Sequence, residues 1–179
     1  VLHNYLNGTS GLPDKPVLIT MDDGYLNNYT NAYPIYKKYN ISATLFVSSY
    51  FMKNENTERH FGWDAAREME ASGLIDIQSH GYNHTPLSYL SLKDVRHHIS
   101  HSKGLIEKNL GKRDVFVVAY PQFRNTTYTR KLLSEMGVDF QITFAILQTV
   151  IKCGETDGDN FKIFFDSYDT TNLIANIFS

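Results

Sequence analysis

An apolar run that stops on two adjacent carboxylates constrains this chain more than any other feature of its sequence. Residues 17–24 read Val-Leu-Ile-Thr-Met-Asp-Asp-Gly, so Asp22, Asp23 and Gly24 follow directly on the apolar residues. A short apolar run bounded by a turn signal is typical of a buried strand, and ligands in α/β folds bind where strands reach their carboxyl ends. Adjacent strand residues point to opposite sides, so one carboxylate can face a metal ion while its neighbour handles protons. The run therefore predicts a strand that delivers acid groups to a site.

A second strand-like stretch ends on a pair of histidines. Residues 75–79 alternate apolar and polar side chains and lead directly into His80 and, four residues on, His84. Two histidines at this spacing lie on one side of a helical turn or tight loop, within reach of one metal ion. Alone, Asp-Asp-Gly is usually a turn and His-x-x-x-His one face of a helix, but here each follows a strand-like run. Two histidines and one aspartate would leave the fourth position of a tetrahedral ion open, as in catalytic zinc sites.

The composition fits one globular domain with an uncharged partner. The 179 residues are 42% hydrophobic and 20% charged, which is ordinary for a single globular domain. The net charge of -2 and the pI near 6.4 give no electrostatic reason to expect nucleic acid or an anionic membrane as a partner. No apolar run approaches the roughly 20 residues that a membrane span needs. A neutral polymer would suit this charge better.

Strand-like and helix-like segments alternate along the chain, which predicts a mainly parallel sheet. After the first strand, further strands are predicted at residues 42–48, 75–79, 115–120, 140–144 and 162–166. Helices are predicted to end within residues 1–11 and to cover residues 27–39, 65–71, 92–111, 128–136 and 172–178. Asp64, Ser91 and either Asn125 or Thr126 are the expected N-caps of three of these helices. Pro34 marks a kink or a late start in the helix at 27–39.

The two motifs resemble those of the metal-dependent polysaccharide deacetylases, carbohydrate esterase family four, whose catalytic unit is also called the NodB-homology domain. The family's Thr-Phe-Asp-Asp-Gly stands here as residues 20–24, Thr-Met-Asp-Asp-Gly, and its His-(Ser/Thr)-x-x-His stands as residues 80–84, His-Gly-Tyr-Asn-His. Residues 31–39, 43–47 and 63–64 extend the likeness to the branch that acts on poly-N-acetylglucosamine.

The resemblance implies a fold and a site. The expected fold is α/β, a distorted and incomplete (β/α) barrel formed by a single deacetylase domain over residues 1–179. Asp22 would be the catalytic base, and Asp23, His80 and His84 would hold a divalent metal ion. Zinc suits two imidazoles and a carboxylate with an open position, and cobalt or nickel would also fit.

The resemblance also implies a partner and a location. The partner would be an acetylated polysaccharide such as poly-N-acetylglucosamine, with no nucleic acid and no membrane span. The protein is expected to be secreted or associated with the cell envelope. The sequence opens at Val1 without a signal peptide, and we therefore expect that a leading segment is missing.

Two parts of the family pattern differ in this sequence. The family's third motif, Arg-x-Pro-Tyr, aligns with residues 119–122, Ala-Tyr-Pro-Gln, so the arginine that steadies the base is absent. The family assigns an oxyanion donor to a backbone N–H of this turn, which places the expected substrate and oxyanion contacts at Tyr120 and Pro121, although proline has no N–H. Arg124 is a nearby candidate to replace the arginine. The family's late Leu-x-His, which supplies the general acid, has no counterpart, because the last histidine is His101.

Three functions remain open on the sequence alone. The first is a metal-dependent N-deacetylase in which the metal activates the attacking water and Asp22 accepts its proton. The second keeps this chemistry and changes the substrate to an O-acetyl ester, as on xylan, which needs less help from a general acid. The third is a metal-stabilised carbohydrate-binding homologue with impaired turnover. The presence of both Asp22 and Asp23 favours an enzyme.

The remaining histidines and aromatic residues have simpler interpretations. His97, His98 and His101 have helical spacing within a polar segment, which favours a solvated helix face over a second metal site. Most of the aromatic residues are expected to pack in the core. Four flank the motif loops and are candidates to line a groove, namely Tyr25, Tyr82, Tyr120 and Phe123.

Overall fold

The computed structural model describes residues 8–11 and 17–142. Within this part of the chain, the strands are β1 Thr20–Met21, β2 Ala43–Val47, β3 Ile75–Ser79, β4 Val117–Ala119 and β5 Phe140–Ile142. The α-helices are α1 Tyr33–Tyr39, α2 Trp63–Ala71, α3 Leu92–Leu110 and α4 Thr127–Glu135, and a π-helical turn covers Asn28–Ala32. The helix predicted to end within residues 1–11, the strand at 162–166 and the helix at 172–178 fall wholly or largely outside the described residues.

The strands form one parallel sheet in the order β1-β2-β3-β4-β5. Each strand lies beside its neighbour in sequence, so every crossover moves in the same direction. A sheet of this order curls towards a barrel, whereas a doubly wound sheet reverses direction at a switch point. The described strands form a curled half-barrel with its helices. The predicted incomplete (β/α) barrel is therefore confirmed.

The core lies between the sheet and its helices. Leu45, Phe46 and Val47 of β2 are fully buried, as expected for a strand that is covered on both faces. Helix α3 buries Val95, Ile99, Ser102 and Ile106, which are spaced by four, three and four residues and so form one stripe along the helix. No helix within residues 8–11 and 17–142 combines the length and apolar character needed to cross a membrane.

The element ends follow the sequence signals with two differences. The Ser91 hydroxyl accepts a hydrogen bond from the Asp94 amide at the start of α3, and Thr126 forms a capping box with Thr129 at the start of α4. Asp64 is not the N-cap of α2, because the helix begins at Trp63 and places the Asp64 side chain in its first turn. β1 is shorter than predicted, since only Thr20–Met21 pairs with β2.

The loop between β2 and α2 folds back onto the first turn of α2. The amide of Trp63 donates to the Lys53 carbonyl at 2.7 Å, and the amide of Asp64 donates to the Asn54 carbonyl at 3.0 Å. A Cβ atom on Gly62 would lie 2.5 Å from the Asn54 carbonyl oxygen. The backbone at Asn54 crosses Gly62 so closely that only glycine fits there. The base of the loop is therefore held against the helix.

A buried ion pair joins α2 to the sheet. The carboxylate of Glu70 accepts hydrogen bonds from both terminal nitrogens of Arg113, at 2.6 and 3.1 Å, and from the amide of Ile77 in β3 at 2.9 Å. The Arg113 and Glu70 side chains are only 12% and 16% exposed. This bidentate pairing is the strongest geometry available to an arginine and a carboxylate.

Replacement of Glu70 by alanine should destabilise the fold by about 3 kcal/mol, because it leaves the Arg113 guanidinium and the Ile77 amide without their acceptor. Urea denaturation followed by circular dichroism measures the change in free energy of unfolding. Glu68→Ala is the matched control on the same helix, since its side chain is 50% exposed in its ion pair with Lys37. The control should lose less than about 1 kcal/mol. Equal losses in the two variants would contradict a special role for Glu70.

Candidate metal centre

The two sequence motifs meet at the carboxyl end of the sheet. Asp22 and Asp23 follow β1, and His80 and His84 lie in the loop that follows β3. Asp23, His80 and His84 bring one ligand atom each to within 4.8 Å of one another, and no other group of three such residues does so in the described part of the chain. The predicted metal ligands are therefore close together in space.

The distances fit a tetrahedral ion. Oδ1 of Asp23 lies 3.6 Å from Nε2 of His80 and 3.2 Å from Nε2 of His84. An ion with bonds of about 2.0–2.1 Å to each ligand holds neighbouring ligand atoms about 3.3–3.4 Å apart. The two separations from Asp23 thus match those between corners of a tetrahedron, and all three ligand atoms lie within 4.8 Å of one another.

The protonation of His80 supports this fit. Its Nδ1 lies 3.0 Å from the carbonyl oxygen of Ala119, which can only accept, so Nδ1 must carry the proton. Burial, as the largest cause, lowers the pKa of His80 to about 4, and the ring is neutral near pH 7. The lone pair of Nε2 then faces the Asp23 carboxylate, so two acceptors face each other. A cation between them would satisfy both.

Left-handed backbone shapes both motif loops. Asp23 has φ = 69° and His84 has φ = 62°, a conformation that is uncommon for residues other than glycine. Gly81 is also left-handed, and a Cβ atom there would lie 3.4 Å from Cγ of Pro121. Backbone strain of this kind concentrates at binding and catalytic sites. It is present here at two of the three ligand positions.

Asp22 lies beside the three ligands in a protected position. Its Oδ1 is buried and accepts no hydrogen bond from the described residues. Burial, and secondarily the charge of Asp23, raise the pKa of Asp22 to about 7. The carboxyl group is thus poised to exchange a proton near neutral pH. A divalent cation at the neighbouring site would lower this pKa by attraction.

Buried serine hydroxyls lie at the ends of β2 and β3, and the sequence analysis did not identify them. Oγ of Ser79 lies 2.8 Å from Oγ of Ser102 on α3 and accepts the Gly81 amide at 3.0 Å, which holds the start of the histidine loop. Ser48 and Ser49 follow β2, and their buried hydroxyls have no hydrogen-bond partner among the described residues. A pair of small polar residues at the end of a buried strand is the signal that could have drawn attention to them.

The third-motif turn differs from the expectation. The amide of Tyr120 donates to the Ile142 carbonyl at 3.0 Å, so the sheet already uses it and it is not the oxyanion donor. The Tyr120 side chain is fully buried, and its hydroxyl bonds Gln141. Pro121 is buried against Gly81, which gives it a packing role in the histidine loop. Both residues therefore support the site from within the fold.

Arg124 does not replace the missing arginine. Its guanidinium lies 5.2 Å from the centre of the Tyr89 ring, and it forms no ion pair with a carboxylate in the described part of the chain. No positive charge contributes to the raised pKa of Asp22. The pKa of Asp22 is therefore set mainly by burial and by the charge of Asp23.

Aromatic residues surround the two loops. The charge of Asp23 is the main cause that raises the pKa of the Tyr25 hydroxyl. Tyr82 packs edge-on against His101, with ring centres 4.6 Å apart. His97 and His101 are exposed on α3, in agreement with a solvated face, while His98 is half-buried.

Comparison with known proteins identifies the family. The family model named Polysaccharide deacetylase matches residues 9–141. The protein YxkH of Bacillus subtilis (strain 168) is 33% identical over 130 residues, which are 73% of this chain and 45% of YxkH. A poly-beta-1,6-N-acetyl-D-glucosamine N-deacetylase of Staphylococcus aureus (strain N315) is 30% identical over 115 residues, which are 63% of this chain and 39% of that protein.

A solved structure agrees with these relatives. IcaB from Ammonifex degensii superposes with a TM-score of 0.68 at 29% identity, over 79% of this chain and 65% of that chain. The chain spans less than half the length of the two curated relatives. The half-barrel, the two motifs and the family match together lead to one conclusion: this chain belongs to the polysaccharide deacetylase family.

Proposed function

We propose that this chain is the catalytic part of a metal-dependent hydrolase that removes N-acetyl groups from a polysaccharide such as poly-N-acetylglucosamine. The observation that carries the proposal is the cluster of Asp23, His80 and His84, whose ligand atoms lie within 4.8 Å of one another, beside the buried carboxyl of Asp22. Family membership and the poly-N-acetylglucosamine deacetylases among the relatives support it. The domain is proposed to occupy residues 1–179 and to act outside the cell or in its envelope.

Each side chain has a distinct role in the proposed reaction. Asp23, His80 and His84 would hold a divalent ion, most suitably zinc, which would lower the pKa of a water molecule and polarise the acyl oxygen. Asp22 accepts the proton of the attacking water as its oxygen joins the acetyl carbon. The C–N bond then breaks, so that acetate leaves and the nitrogen takes up a proton to become the free amine. Ala119 keeps His80 oriented through its carbonyl.

The oxyanion donor is assigned to the turn after β4. Tyr120 uses its amide in the sheet and Pro121 has none, and the next amide of the turn belongs to Gln122. This residue has φ = 53°, and strained turn backbone is characteristic of sites where amides face a ligand. We therefore assign the donor to the amide of Gln122.

The metal proposal predicts that the purified chain holds one zinc ion and that His80→Ala loses it. Removal of one of three protein ligands should weaken zinc binding by more than about 100-fold. Loss of a residue that only orients a ligand typically weakens it by about 10- to 100-fold. Metal analysis after gel filtration and competition with a chromogenic chelator measure the affinity. His97→Ala is the control, because this exposed histidine lies on α3 away from the ligands. Zinc retention by the His80 variant would remove this residue from the ligand set.

If Asp22 is the base, its replacement should abolish turnover and leave zinc binding intact. Asp22→Asn should keep the bound zinc and lose at least about 100-fold in kcat, because the amide cannot accept a proton from water. Acetate release and zinc content are measured on the same preparation. Asp114→Asn, a change of the same size at an exposed site, should retain parental kcat within about twofold. Unchanged turnover in Asp22→Asn would exclude it as the base.

The substrate class is tested by comparing amide and ester. Acetate should be released from oligomers of β-1,6-linked N-acetylglucosamine faster than from acetylated xylan. No arginine pairs with Asp22 among the described residues, and this observation favours the esterase alternative, since an ester needs less help from acid groups. Release from xylan alone would establish that alternative. Sugar binding with no release from either substrate would establish an impaired binding homologue.

A further inference from the structure

A pocket lined mostly by polar residues lies on the segment that follows the first motif, and the reaction described above does not use it. Its volume is about 420 Å³, within the range of about 300–1,000 Å³ that is typical of small-molecule sites. We call it the Tyr25 pocket. Its walls come from the segment after the first motif and from the loop between β2 and α2, and its lining includes Tyr25, Asn27, Thr30, Asn31, Glu58 and Arg59.

The ring of Tyr25 offers the pocket a fixed aromatic surface. It stacks on His60 with ring centres 5.4 Å apart, and His60 in turn stacks on Phe51 at 5.0 Å. Tyr25 is thus an end member of a three-ring stack, and 47% of the residue is exposed. An exposed aromatic side chain held by neighbouring rings is suited to binding a flat apolar surface.

Backbone contacts hold the two walls together before any ligand binds. Tyr25 and His60 form an antiparallel bridge. The Leu26 amide donates to the Arg59 carbonyl at 2.8 Å, and the Phe61 amide donates to the Gly24 carbonyl at 3.2 Å. A pocket whose walls are already ordered loses little conformational entropy when it binds a ligand. The geometry is therefore that of a preorganised binding surface.

The Tyr25 pocket lies close to the metal centre along the chain. Tyr25 lines the pocket and follows the proposed metal ligand Asp23 by only two residues. The pocket and the metal centre therefore share this short segment. A polymer whose acetamide group reaches the metal centre would place a neighbouring unit within reach of this ring.

The lining chemistry suits a neutral sugar. Glu58 and Arg59 contribute one charge of each sign, so the charged residues of the lining sum to zero and favour no ionic ligand. Asn27, Thr30 and Asn31 provide amide and hydroxyl groups that can donate to and accept from sugar hydroxyls. Thr30 and Asn31 lie in the π-helical turn, a feature found frequently at functional sites.

We propose that the Tyr25 pocket binds a sugar unit adjacent to the one that is deacetylated, with the apolar face of that sugar stacked on the ring of Tyr25. The proposal rests on the proposed function, because it takes the ligand to be the same polysaccharide. Tyr25 then determines substrate preference in two ways. The pocket favours polysaccharide chains long enough to place a second sugar unit on the ring, and it favours an uncharged unit at that place.

The test measures binding apart from turnover. In the zinc-loaded Asp22→Asn protein, the affinity for a β-1,6-linked N-acetylglucosamine tetramer is determined by calorimetry. Adding Tyr25→Ala should weaken binding by about tenfold, while Tyr25→Phe should change it by less than about threefold because the ring remains. Tyr39→Ala is the matched control, since Tyr39 is 61% exposed at the end of α1, next to the amino end of β2. It should bind as the parent does.

Two results would overturn the proposal. Parental affinity in Tyr25→Ala would exclude stacking, and an equal loss in Tyr25→Phe would show that the hydroxyl group, and not the ring, matters. Asn31→Trp, a substitution at an exposed position, fills the pocket without entering the core. It should weaken tetramer binding at least about fivefold, and parental affinity in this variant would also refute the pocket. Thermal unfolding confirms that each variant is folded.

Acetate release by the chain with Asp22 intact separates this proposal from the proposed function. Affinity that depends on Tyr25 without any acetate release would refute the function and support the pocket. Acetate release without any dependence of affinity on Tyr25 would support the function and refute the pocket.

Discussion

The hydrogen bond from Nδ1 of His80 to the carbonyl oxygen of Ala119 determines what the metal centre can do. It fixes the tautomer of a buried ring, and it directs the free Nε2 lone pair towards Asp23. Without this bond the ring could rotate or present an N–H to the carboxylate, which would form an ordinary hydrogen bond in place of a metal ligand. The donor set therefore depends on a backbone group of β4 that contributes no side chain.

The order of the strands brings these groups together. Because each parallel strand lies beside its neighbour in sequence, the ends of β1, β3 and β4 open onto the same rim. Ala119 occupies the position at which the family motif has an arginine. This position thus supplies a backbone contact to His80 and no positive charge, and burial beside Asp23 leaves the pKa of Asp22 raised to about 7.

The roles of side chains at the site could be predicted from the sequence, whereas the roles of backbone groups could not. The proximity of Asp23, His80 and His84 follows from residue type and from motifs placed after strands. The role of the Ala119 carbonyl has no signature, because every residue carries a carbonyl group. Tyr120 was misjudged because its amide belongs to a ladder with a strand that lies far along the sequence. Asp64 satisfied the local rule for an N-cap, but the folded-back loop sets the start of α2 two residues earlier, at Trp63.

The crossing at Gly62 separates two parts of the loop between β2 and α2. Its base is fixed by close backbone contact with α2, whereas Glu58 and Arg59 near its tip are exposed to solvent. Amino-acid changes at the tip therefore need not disturb the helix or the strands that carry the metal ligands. The tip can therefore accept insertions and deletions that the close-packed base of the loop cannot.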